Sequence, residues 1–183
     1  PSPQTGDGLQ PAAGPPLVIV VDATNMGHIL WHGSRQRPEV VEGLPQRCLA
    51  LHRYWEAYRT VLCFDQGTSF RKRLAPDYKA HRAPAPEALR KALDKAANDA
   101  AGRFRLPVQA GESLEADDWV ASVTGAAVQT GCRVVVISAD KDIRQCLISG
   151  VVTIAASVHL RGTSAEATWI TAASLRERFG VTP

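Results

Sequence analysis

Seven carboxylates in this sequence occupy positions from which they can share one crevice. Asp22 ends the run Leu17–Val21, Asp65 follows Thr60–Phe64, and Asp140 follows Arg133–Ile137 after Ser138 and Ala139. Glu115, Asp117 and Asp118 crowd into the tetrad Glu115-Ala-Asp-Asp118, and Asp142 stands two residues beyond Asp140. Each has an ordinary explanation when taken alone. Strand-end aspartates cap loops, acids in a first helical turn complement the helix dipole, and Asp140 can cap a helix that carries Asp142 in its first turn. Glu115 and Asp118 share a helix face, however, where like charges repel. Capping does not require so many acids. A cluster of that charge density persists only when it is protonated or neutralised by cations. All-oxygen ligand sets select Mg²⁺ or Mn²⁺ over zinc. Two such ions ~4 Å apart serve in-line phosphoryl displacement, which is the chemistry these residues suggest.

The elements that must position these acids follow from the same runs. Leu17–Val21, Thr60–Phe64 and Arg133–Ile137 are continuous and apolar, as in strands buried on both faces of a parallel sheet, and Val151–Ile154 follows the same design. Between them lie helical patterns over 45–59 and 86–101, a helix capped by Ser113 and running to Thr130 before Gly131, and a last helix from near Thr171 to Phe179 before Gly180. Strands alternating with helices imply an α/β domain with a mostly parallel sheet. In open sheets of this kind the ligand crevice lies outside the carboxyl ends of the strands, where Asp22, Asp65 and Asp140 would converge.

Composition narrows the class further. The 183 residues carry 45% hydrophobic and 21% charged side chains and a net charge of +3, which fits one domain and excludes collagen-like, coiled-coil and fully disordered chains. Residues 1–16 are rich in Pro and Gly and read as a disordered linker, leaving 17–183 as the domain. No stretch approaches the ~20 apolar residues that span a bilayer, and no signal-peptide pattern opens the chain, so the reading is a cytoplasmic protein without a membrane. Cys48, Cys63, Cys132 and Cys146 show no C-x-x-C spacing and read as reduced core thiols. The five histidines are scattered, and no Ser-His-Asp or Cys-His arrangement competes with the acids.

The mild net charge conceals a local excess. Between Arg71 and Lys91 stand seven Lys and Arg against two acids, with Tyr78 interleaved and Phe70 just ahead. Such a stretch is often only a solvated face. Here it follows the Asp65 strand directly, which places a basic arm beside the acidic crevice. Clustered cations with aromatics suit phosphate backbones and unstacked bases.

The segments LVIVVDATN (17–25), FDQGTSFRKRLAPDYKAHRAPAP (64–86), LEADDWV (114–120) and VVVISADKDIRQC (134–146) together resemble the bacterial 5′→3′ exonuclease and flap endonuclease family, the nuclease module found at the N-terminus of DNA polymerase I. Residues 171–183 resemble the end of that module's metal-binding sheet domain. The resemblance implies a PIN-like (resolvase-like) three-layer α/β domain with a mostly parallel central sheet flanked by helices. It also implies hydrolysis of DNA phosphodiesters at 5′ ends and flaps with two divalent ions, Mg²⁺ or Mn²⁺. By resemblance the metal ligands are Asp22, Asp65, Glu115, Asp117, Asp118, Asp140 and Asp142. Lys79 and Arg82 match basic residues near the scissile phosphate, at the base of a helical arch. Arg71 and Tyr78 would contact substrate with Lys79 and Arg82, and Asn25, close to the site, is counted with them as a DNA-binding residue. The family continues into a helix-hairpin-helix region with a GDxxDN motif, which lies beyond this chain. Ile29 stands where the family usually has Arg, and the segment between the first two strands is shorter than usual.

The expectation is therefore a monomeric metal-dependent nuclease acting on DNA with 5′ ends or flaps. The alternatives are a weakly active or inactive DNA-binding module of the same fold, and a PIN-type ribonuclease.

Overall fold

The computed structural model describes residues 14–111, 113–161 and 164–180. Most of the 1–16 linker expectation lies outside these residues. Six strands form a single sheet in the order β3-β2-β1-β4-β5-β6: β1 Leu17–Asp22, β2 Arg59–Cys63, β3 Val108–Gln109, β4 Arg133–Ile137, β5 Val152–Arg161 and β6 Ser164–Ile170. All neighbours are parallel except β5 and β6, which form an antiparallel hairpin.

The continuous apolar runs have a direct cause: each strand faces two cores. Ile19, Val21, Leu62, Val135 and Ile137 pack on one side with α3 (Leu44–Tyr54) and α5 (Glu87–Gly102). Val18, Val20, Val61, Val134 and Val136 pack on the other with α6 (Ala116–Gln129) and α7 (Ala172–Phe179). Helices thus cover both faces, giving three layers. A third cluster joins Trp31 of α1 (Ala23–Gly33), Val41 of α2 (Pro38–Glu42) and Leu89 of α5. Gly27 lets α1 approach α5, because a Cβ there would collide with Leu93.

Chain order and sheet order diverge at one place. From β1 the chain moves outward through β2 and β3, then returns to place β4 on the other side of β1. The gap between the ends of β1 and β4 is the topological switch point, where open α/β sheets bind ligands.

Several expected boundaries shift. The helix expected over 45–59 ends at Tyr54, because Glu56 takes a left-handed φ of 47° and Arg59 already pairs with Val18 in the sheet. Ser113 does not cap α6. It sits at φ 63°, outside the extended conformation of an N-cap, and Glu115 takes that position. The fourth strand runs on from 154 to Arg161 because β6 supplies a partner beyond the end of β4. The expected last helix is α7, capped by Thr171 and closed by Gly180 at φ 66°.

Candidate functional site

The register of the sheet builds the site. Val21 pairs with Ile137 and Asp22 with Cys63, so Asp22 lies beside Ser138, and Asp65 follows two residues after its partner Cys63 at the switch point. Asp22 is 2% exposed. Its Oδ1 accepts from the Asn25 amide at 3.0 Å and its Oδ2 from the Ser138 hydroxyl at 2.9 Å. Burial pushes this carboxyl up to about 7, against the pull of those two hydrogen bonds, and Asp117 and Asp65 add to the rise.

Asp65 is exposed in the loop after β2 and holds two elements together. Its amide donates to Thr24 Oγ1 at 2.8 Å, and its Oδ1 accepts from the Ala116 amide at 2.6 Å. That amide belongs to the first turn of α6, where the helix dipole favours an anion. The contact swings the α6 terminus, with Glu115, Asp117 and Asp118, toward the strand ends. Asp117 is raised by burial first, then by Asp140 and Asp65, with Glu115 also contributing. Asp140 enters through the loop after β4. Its amide donates to Ser138 Oγ at 3.1 Å, and the Ala139 amide donates to Asn25 Oδ1 at 3.1 Å. Asp22, Asp65, Asp117 and Asp140 therefore form a group whose charges repel one another.

A second group differs in kind, because cations already occupy it. Arg71, the first residue of α4 (Arg71–Leu74), spans both oxygens of Asp118 at 2.6 and 2.7 Å and reaches Glu115 Oε2 at 3.1 Å. Lys79 Nζ lies 3.0 Å from both Glu115 oxygens, and the Tyr78 hydroxyl donates to Oε2 at 3.0 Å. The Arg71 hydrogen bonds hold the Asp118 carboxyl below the usual carboxylate range. Burial works against the Lys79 ammonium, but its hydrogen bonds to Glu115 and Tyr78 prevail and raise it. Lys79 reaches this place from a left-handed φ of 55°.

The remaining expected residues stand apart. Asp142 is exposed at the start of a 3-10 turn, Asp142–Cys146, and its amide donates to Asp140 Oδ1 at 2.9 Å. Its side chain makes no hydrogen bond or ion pair among the described residues. Arg82 is exposed, and among the described residues only its amide is bonded, to the Lys79 carbonyl at 3.0 Å. The arch expected around Lys79 and Arg82 is, in this structure, the one-turn α4 followed by turns. Asn25 is half-buried, and its Oδ1 accepts from the Ala139 amide, which ties the first turn of α1 to the β4 loop. Ser138, Thr24 and the Ala116 amide were not singled out from the sequence. The one signal for Ser138 was a hydroxyl lodged between a buried strand and an acid.

The donor set suits a hard divalent cation. It is all oxygen, and Asp22 is a buried carboxylate whose raised pKa reports that no positive group compensates it. Among the described residues no three or more acids, histidines or cysteines are gathered closely enough to hold a metal ion by themselves. Mg²⁺ keeps several waters and is usually bound through one or two carboxylates, so it does not require such a group.

The model of the 5′-3′ exonuclease N-terminal resolvase-like domain matches residues 17–180. The chain belongs to that family. The flap endonuclease Xni of Shewanella loihica is 30% identical over 134 residues, which cover 70% of this chain and 51% of that protein. The thermostable DNA polymerase I of Thermus aquaticus is 33% identical over 177 residues, 91% of this chain and 20% of the polymerase. The chain thus spans about half or less of the length of these relatives. Among solved structures, T5 5′-exonuclease with divalent zinc bound superposes with a TM-score of 0.65 at 22% identity, over 90% of this chain and 61% of the phage enzyme. That likeness establishes the resolvase-like fold, with the parallel sheet and flanking helices described above. Among the described residues no helix is long and apolar enough to cross a membrane.

Proposed function

We propose that this resolvase-like domain is the catalytic part of a metal-dependent 5′→3′ exonuclease and flap endonuclease that hydrolyses DNA phosphodiester bonds. One observation carries the reading. Asp22, Asp65, Asp117 and Asp140 face one another at the switch point with no ion pair among the described residues, Lys79 acting on Asp117 only from a distance, and a basic arm lies alongside. Membership of the family supports it, as do the names of the relatives.

In this reading Asp22, Asp65, Asp117 and Asp140, with Glu115, hold one Mg²⁺ or Mn²⁺, and Asp118 and Asp142 help to hold a second ion or order its waters. Bound divalent ions supply an activated water and stabilise the leaving oxygen. The chain itself does the rest. Asp22 supplies its charge from a buried position, and Asp65 fixes the α6 terminus through Ala116. Lys79 neutralises Glu115 in the free protein and stabilises charge developing on the phosphate when DNA is bound. Arg71 and Tyr78 keep the arm close to that phosphate. Arg82, exposed and unpaired among the described residues, is placed to meet the DNA backbone. The unit acts as a monomer on DNA with 5′ ends or flaps. The test is Mg²⁺-dependent cleavage of a 5′-labelled flap: product from the wild type and none from Asp117→Asn supports the reading, and equal product from both contradicts it.

A further inference from the structure

Ser138 is fully buried, with 0% exposure, yet its hydroxyl is not sealed off from the site. It touches two of the acids from opposite directions. The Asp140 amide donates to Oγ at 3.1 Å, and Oγ donates to Asp22 Oδ2 at 2.9 Å. The direction follows from the ionised form of Asp22, the form that binds a cation. A backbone N–H can only donate, and an ionised carboxylate can only accept. With Asp140 N–H filling a lone pair, the hydroxyl proton points at Asp22. Such a chain of polarised bonds in a buried place strengthens each member.

Asn25 closes the same arrangement from the first turn of α1. Its amide donates to Asp22 Oδ1 at 3.0 Å, and its side-chain Oδ1 accepts from Ala139 N at 3.1 Å. Each oxygen of Asp22 therefore receives one donor and keeps a further lone pair. The Asp140 backbone is pinned at the amide by Ser138, and the residue before it is pinned by Asn25. The strands make this possible, since the Val21–Ile137 pairing sets Asp22 next to Ser138. A one-residue slip would separate them.

We propose that Ser138, assisted by Asn25, is a positioning residue that sets the angle and spacing of Asp22 and Asp140 for a shared divalent cation. The proposal rests on the metal reading given under Proposed function. Neither residue touches the ion; both act through the carboxylates. Groups that orient metal ligands typically contribute about 10–100-fold in metal affinity.

The test is calorimetric titration of the full chain with Mn²⁺ at fixed pH, alongside thermal melts, for the wild type, Ser138→Ala, Ser138→Thr and Asn25→Ala. The expected result is a dissociation constant at least about tenfold weaker for Ser138→Ala. Asn25→Ala weakens it in the same direction, and Ser138→Thr, which keeps the hydroxyl, returns it toward the wild type. A merely structural role would lower the melting temperature and leave the Mn²⁺ affinity of the folded protein unchanged. Asn25 is accessible and its loss opens no core, so that variant decides the question if Ser138→Ala does not fold. Wild-type affinity in both alanine variants overturns the proposal alone. No Mn²⁺ uptake by the wild type overturns the metal reading with it. Uptake with the expected shifts but no flap cleavage leaves this inference standing and removes the nuclease reading.

Discussion

Arg71 grips Asp118 through two parallel hydrogen bonds of 2.6 and 2.7 Å, across 47 residues of sequence. The pair fixes the start of the basic arm to the first turn of α6, the turn that carries three of the seven acids. Planar guanidinium and planar carboxylate match in a way that a lysine cannot reproduce. The arm is thus anchored by the acids it is expected to serve.

Replacing Arg71 by Lys should destabilise the fold by about 1 kcal/mol, since the pair is partly exposed and screened by solvent. Urea midpoints check this. Combining Arg71→Lys with Asp118→Asn should cost less than the sum of the two changes, because both remove one contact. Strict additivity would mean that the pair contributes nothing.

Asp22 gives the metal-free protein a distinctive pH dependence. Its carboxyl is raised from 3.8 to about 7 in the fold, so between those values the folded state holds a proton that the unfolded chain has lost. Stability then falls as pH rises through that window, by an amount on the order of 4 kcal/mol in total. Asp118 is lowered instead, and its stabilising contribution is lost only as pH falls through its ordinary value and below. Melting curves of the metal-free protein should therefore show a higher Tm at pH 5 than at pH 8. Asp22→Asn should flatten the difference. A Tm that rises toward pH 8 in both proteins would refute this assignment.

Lys79 sits on Glu115, and in the proposed mechanism it also faces the phosphate. Lys79→Ala should lower flap cleavage by ~100-fold, the usual scale for a lost transition-state donor. The melting temperature should move little, because the side chain is 31% exposed. Single-turnover rates at saturating DNA separate this effect from weaker binding.

Arg82 carries a different expectation because its side chain lies free in solvent among the described residues. Arg82→Ala should weaken flap binding uniformly across sequences and reduce the slope of log affinity against log salt by about 1. Fluorescence anisotropy at several salt concentrations measures it. An unchanged slope would place Arg82 off the DNA path.

What the sequence disclosed, and what it withheld, follows from burial and separation. β1, β2 and β4 were legible because both their faces are covered, which imposes runs such as Leu17–Val21. β6 was not, because it is an edge strand whose residues alternate between half-buried and exposed. Nor was α1, where Gly27 and a polar start weaken the helical pattern that packing against Leu93 then enforces. The acids were legible by residue type and strand-end position. Their division into a cation-free group and a paired group was not. Arg71 and Glu115 lie 44 residues apart, and Lys79 approaches through a left-handed turn that no periodicity signals. The role of Ser138 depends on strand register, and a single sequence does not state its register.

The most direct test of the central claim is the cleavage of a 5′-labelled DNA flap by the full chain and by Asp117→Asn, with Mg²⁺ and with chelator. The expected result is product from the wild type with Mg²⁺ alone, and no more from Asp117→Asn than from the chelated protein. Equal cleavage by both proteins, or cleavage that survives the chelator, would contradict it.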